Sequence, residues 1–143
     1  MNCTRRRFLK SSLTGVTGAL PLLPAVHGAV RRDRLKIAAV TTAYFKYSHS
    51  QHIVDRFLEG YGWEGRHHRP DMDVVSLYVE QVGENDISRE RLKRYPGMKR
   101  AETIEQALTL GTGKLAVDGV LLIGEHGTYP VNEKGQTQYP RYE

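Results

Sequence analysis

Residues 35–52 read LKIAAVTTAYFKYSHSQH, and this stretch decides the fold. Leu35-Lys36-Ile37-Ala38-Ala39-Val40 is a short, nearly continuous apolar run, the pattern of a parallel strand buried on both faces. A polar loop, residues 41–48, follows it. Ile53, Val54, Phe57, Leu58 and Tyr61 then recur at helical spacing and give one apolar face. Strand, loop and helix in that order form the first half of a βαβ unit. Open α/β sheets bind ligands outside the C-terminal ends of their strands, so the loop that leaves this strand is the first place to look for a site.

Working outward, residues 61–65 read as a turn and residues 66–73 (RHHRPDMD) as a polar connection. Val74-Val75-Ser76-Leu77-Tyr78-Val79 is β-branched and apolar, a second strand. Asp86 or Ser88 can cap a helix over residues 89–95, which Pro96-Gly97 stops. Residues 98–100 form either a short strand or more of the connection. Thr103 is the expected N-cap of a helix whose stripe is Ile104, Ala107, Leu108 and Leu110, broken by Gly111-Thr112-Gly113. Val117-Asp118-Gly119-Val120-Leu121-Leu122-Ile123 is a third buried strand, ending at Gly124-Glu125-His126-Gly127. The order β-α-β-α-(β)-α-β predicts an α/β fold, a Rossmann-like three-layer sandwich with a mainly parallel sheet. Three strands and an aperiodic polar tail from Thr128 leave a sheet edge uncovered, which soluble proteins avoid. The expectation is an incomplete sheet, a chain truncated at its C-terminus, and a tendency to oligomerise.

The chain has 143 residues, enough for one domain with a real core, and a formal charge of +5. That charge has a local origin. Residues 1–29 hold four of the 21 bases and none of the 16 acids, which leaves 17 bases against 16 acids in the remainder. A nearly neutral domain is not a general nucleic-acid-binding surface, so nucleic acid is discarded as a partner. The basic segment itself, Thr4-Arg5-Arg6-Arg7-Phe8-Leu9-Lys10, matches a twin-arginine export signature. A short, glycine-interrupted apolar region follows, too short to span a membrane comfortably. Pro21, Pro24 and a small-residue stretch then prepare a cleavage site near residue 29. Residues 1–29 are read as a signal peptide and residues 30–143 as the α/β domain. The expected partner is the twin-arginine translocase, the expected location periplasmic or otherwise extracytoplasmic, and the membrane is met only through the leader. Cys3, the one cysteine, lies in that leader and bears on no disulfide.

The block Ala101-Glu102-Thr103-Ile104-Glu105-Gln106-Ala107-Leu108, followed by Val117-Asp118-Gly119-Val120-Leu121-Leu122-Ile123, resembles the helix and D-x-V strand of the glucose–fructose oxidoreductase/inositol dehydrogenase (Gfo/Idh/MocA) family. The early histidines of the first helix, the acid closing strand two, and residues 88–95 add to the resemblance, which covers roughly residues 34–127. It implies a nucleotide-binding half, NAD(P) as cofactor, hydride transfer and a carbohydrate-like small-molecule ligand. The loop after strand one departs from the family's pattern. Thr41-Thr42-Ala43-Tyr44-Phe45-Lys46-Tyr47-Ser48 contains no glycine, where a dinucleotide-binding loop needs glycines to let its backbone approach the pyrophosphate. Tyr44, Phe45 and Tyr47 are expected to crowd that position. The alternative is a non-catalytic ligand-binding domain or a degenerate Rossmann domain without a dinucleotide.

On this reading Thr41, Thr42 and the N-terminus of the first helix face the ligand phosphate. Glu80 closes strand two where a Rossmann acid accepts from the ribose. Glu125 and His126 face the reacting end, held by glycines on either side, and His126 is suited to proton transfer near neutral pH. His49 and His52 share a helix face, which is half of a metal site, and His126 or Glu125 could converge on the same mouth. The pair is read as polar residues around a pocket, with no metal assigned.

Overall fold

The computed structural model describes residues 33–140. The signal-peptide reading falls on residues outside that range. Strand β1 (Leu35–Thr41) lies inside a four-stranded parallel sheet of order β5-β4-β1-β6, with β4 at Met72–Val79, β5 at Lys99–Ala101 and β6 at Gly119–Ile123. A separate antiparallel pair, β2 (Tyr61–Trp63) and β3 (Arg66–His68), is inserted before β4. Helices α1 (His49–Leu58), α2 (Ser88–Arg94) and α3 (Ile104–Thr109) provide the crossovers. The α/β Rossmann-like class read from the sequence is the fold observed.

Alternation along β1 explains the layers. Ile37 and Ala39 point to one face, where they pack with Tyr44, Val54, Leu58, Val74, Leu77 and Met98 beneath α1 and α2. Ala38 and Val40 point to the other, against Ala101, Ala107 and Val117 beneath α3. Small residues at 38 and 39 let helices approach both faces closely. The pairing of β1 with β4 slips once, from Ile37↔Val74 to Ala38↔Ser76, so Val75 is an extra residue in β4. The bulge sets Ser76 under α3, where its hydroxyl donates to the Ala107 carbonyl at 2.7 Å.

Several sequence expectations shift in detail. Residues 61–68, read as turn and connection, form the β2–β3 hairpin, so Tyr61 leaves the α1 stripe. Gly60, at φ +87°, ends the helix region in a conformation and a space only glycine fits: a Cβ there would lie 2.4 Å from His67 Nε2. Residues 99–101 are a fourth parallel strand rather than an extension of the connection. Thr103 caps α3 as expected, its hydroxyl accepting from the Gln106 amide at 3.0 Å. Neither Asp86 nor Ser88 is the N-cap of α2, which falls on Ile87 without a side-chain bond; Asp86 Oδ1 instead accepts from the Ser88 amide at 2.9 Å. Among the described residues no helix is long and apolar enough to cross a membrane.

Candidate functional site

The chain winds from β1 to β4 to β5 in one direction and then crosses back to place β6 on the other side of β1. In such sheets the crevice at the reversal, between the loops leaving β1 and β6, is the ligand position. Both loops are held firmly. The Thr42 amide donates to the Ile123 carbonyl at 3.2 Å and the Gln81 amide to the Thr42 carbonyl at 2.9 Å, so the sheet continues one step past β1. The Ser50 hydroxyl donates to the Ala43 carbonyl at 2.6 Å, and Ser48 caps α1 by accepting from the Gln51 amide at 3.2 Å. These bonds fix His49, the first residue of α1, at the crevice.

Three of the polar residues singled out in the sequence meet there. His49 Nδ1 lies 2.7 Å from Glu125 Oε2 and 3.0 Å from His126 Nε2. The two imidazoles stack, with centroids 4.9 Å apart and 20° between planes, and the edge of Phe45 closes on His126 at 5.2 Å. One ring N–H cannot point at both neighbours, and the closer, charged carboxylate is the stronger acceptor. Donation from Nδ1 to Glu125 leaves the lone pair of His49 on Nε2, which makes that nitrogen a proton acceptor. This tautomer is assigned from the hydrogen-bond partners. His126 has φ +66°, a left-handed conformation that histidine visits more readily than most residues but that still costs energy. His52 does not join the group; it stacks on Tyr47 instead. Among the described residues no cluster of three or more His, Cys, Asp or Glu side chains could hold a metal ion.

The residues expected to face a cofactor are otherwise engaged. The Thr41 hydroxyl donates to the Tyr78 carbonyl at 3.3 Å and the Thr42 hydroxyl to the Glu125 carbonyl at 2.6 Å, and both side chains are buried. Glu80 does stand just past the end of β4, where its carboxylate accepts a short hydrogen bond from the Tyr129 hydroxyl. Burial, first, and this bond, second, raise the Tyr129 hydroxyl well above the usual phenol range. Thr128 and Gln81 exchange two further bonds beside it, of 2.8 and 3.3 Å, so residues 128–129 are strapped across the mouth. Sequence reasoning missed Tyr129 because the tail shows no periodicity; its one signal was an aromatic residue two positions beyond Gly127.

Two small pockets flank the cluster. One, of about 170 Å³, is lined by Tyr44, Phe45, Gln81, Asn85, Asp86 and Thr128. Asp86 supplies Oδ1 to Ser88, while its buried Oδ2 has no hydrogen-bond partner among the described residues. The other, of about 120 Å³, lies between Thr42, Tyr78, Glu80, Ile104, Leu122 and Pro140. Both are below the several hundred Å³ typical of a cofactor site. Tyr44, expected to crowd a pyrophosphate, is buried in the core with its hydroxyl on Asp55 at 2.6 Å; of the other two, Tyr47 is exposed and Phe45 stands edge-on to His126 at the crevice. A glycine-free loop, a capped helix start and an engaged Glu80 do not fit a nicotinamide dinucleotide in its ordinary pose. Comparison of the chain with protein-family models, with curated proteins and with solved structures gives no match in any of the three.

Proposed function

We propose that this is an exported α/β domain that binds a small polyhydroxylated, carbohydrate-like molecule at the strand ends, with His49 as the proton acceptor for a ligand hydroxyl. The observation that carries the reading is the His49–Glu125 contact at 2.7 Å, with His126 stacked on the same imidazole at the reversal point of the sheet. The carboxylate orients the imidazole and stabilises the cation formed when it takes a proton. The unpartnered Asp86 oxygen and the side-chain amide of Asn85 are suited to ligand hydroxyls in the adjoining pocket. Export by the twin-arginine route rests on the arginine motif of residues 4–10.

The test is an NMR titration of the full chain with myo-inositol and with glucose, following the ring protons of His49 and His126. Saturable shifts of both rings are expected, with the His126 shifts abolished in His49→Ala and the shifts of both weakened in Glu125→Gln. Shifts confined to other histidines in a folded sample overturn the reading. The strand order and an acid just past the end of β4 are Rossmann-like, but with a glycine-free loop and Glu80 engaged by Tyr129, NADH and NADPH are expected not to bind saturably. Saturable binding of either that disappears in Glu80→Ala would overturn that expectation.

A further inference from the structure

The β2–β3 hairpin adds no residue to either hydrophobic core, and all six of its residues are exposed. It is nevertheless built rigidly. Glu64 and Gly65 both have positive φ, +49° and +70°, the two-residue turn that matches strand twist. His67 Nε2 lies 2.9 Å from the Glu59 carbonyl at the end of α1, which ties the hairpin down, and His68 Nε2 lies 3.2 Å from the Trp63 carbonyl, which braces its two strands against each other. Pairing of Tyr61 with His68 and of Trp63 with Arg66 puts these four side chains on one face. Tyr61 is packed between the His68 ring at 5.8 Å and the Arg56 guanidinium at 6.0 Å. Trp63, the chain's only tryptophan, is 62% exposed, and no aromatic or cationic group among the described residues stacks on its indole.

A preorganised indole beside a guanidinium is the composition of a binding hot spot. The charge on this face is basic: Arg66 is paired across the strands with Trp63 and Arg56 lies over Tyr61, two cations against Glu64 in the turn. We infer that this hairpin face is a docking surface for an acidic polysaccharide, a polyuronate chain. Each repeat of such a chain offers both complements, an apolar ring face for the Trp63 indole and a carboxylate for the Arg66 fork. A neutral glycan supplies only the first and an acidic peptide only the second. The surface lies on an inserted hairpin distinct from the strand-end cluster, and the inference does not depend on the function proposed for that cluster.

The experiment is a titration of the full chain with oligogalacturonate, maltoheptaose and polyglutamate, read by Trp63 fluorescence. Oligogalacturonate is expected to shift the emission saturably, with affinity that weakens as salt is raised. Arg66→Gln is expected to weaken binding about tenfold. Trp63→Phe, followed by calorimetry, is expected to weaken it while circular dichroism stays native. An unchanged emission with oligogalacturonate overturns the inference. Equal or tighter binding of maltoheptaose or polyglutamate, or full affinity in Arg66→Gln, overturns it as well.

Discussion

At the scale of single residues, Glu125 and His126 were legible because two glycines bracket them at the end of an apolar run, and strand ends collect ligand-facing groups. What the sequence could not convey is which histidine Glu125 would meet. That depends on the strand order, which brings the start of α1 beside the loop after β6. Glu125→Gln keeps the shape of the contact but replaces a charged acceptor with a neutral one, so the His49 ring is held less firmly. In this variant the carbohydrate-induced shifts of the His49 ring protons, followed by NMR, are expected to weaken several-fold. Tyr129 gives a second test. In an unfolded chain a tyrosine ionises near pH 10, roughly. Burial and the Glu80 contact keep the Tyr129 proton in place to higher pH. The unfolded state therefore sheds protons first, and stability falls as pH rises above about 10, while below that this hydroxyl leaves the pH dependence flat. Thermal melts of Tyr129→Phe are expected to show a shallower alkaline loss than the wild type; Tyr44, raised mainly by burial and by Asp55, accounts for part of what remains.

At the scale of elements, the apolar runs of β1 and β4 were read correctly as interior strands. The run at residues 117–123, read as a third buried strand, forms the shorter edge strand β6 with Val120 and Leu122 exposed, because a continuous apolar run does not say which strand lies outermost. The hairpin escaped because its six residues include glycine, arginine and two histidines rather than β-branched residues, and its only turn signal is Glu64-Gly65. The contact between α1 and α2 was also invisible to pattern reading. Asp55 and Arg91 form a bidentate pair at 3.0 and 2.8 Å, with side chains only 15% and 9% exposed, and the Tyr44 hydroxyl completes it. Removing one partner strands a charge away from water. Asp55→Ala is expected to cost about 3 kcal/mol in denaturant unfolding. Replacing Asp55 and Arg91 together by leucine and methionine, with Tyr44→Phe, is expected to cost less than that single change.

At the scale of the whole molecule, the expected open sheet is observed, with four strands instead of three. The outer edge of β6 has no strand partner among the described residues, and on the face away from α1 it carries Val120 and Leu122, the latter 76% exposed. The opposite edge strand, β5, contributes Lys99 and Arg100, charges that discourage pairing. Self-association through β6 is therefore the expected behaviour of the isolated chain. Sedimentation velocity over a range of concentrations should show it for the wild type and show a monomer for Leu122→Lys; concentration-independent monomer in both would remove the idea. An uncovered strand edge was readable from the element count alone, whereas its chemistry needed the strand order to show which run lies outermost.

The strap formed by residues 128–129 makes the chain its own competitor. Any ligand that requires the Glu80 carboxylate must first displace the Tyr129 hydroxyl and the two Gln81–Thr128 bonds. If those contacts are worth about 2 kcal/mol together, only a few molecules in a hundred present a free Glu80, and apparent affinity falls roughly thirtyfold below the intrinsic value. The acid that sequence comparison would mark for ribose recognition is thereby masked by a phenol from the same chain. Loosening that latch, not adding a contact, is the shortest route to tighter binding at Glu80.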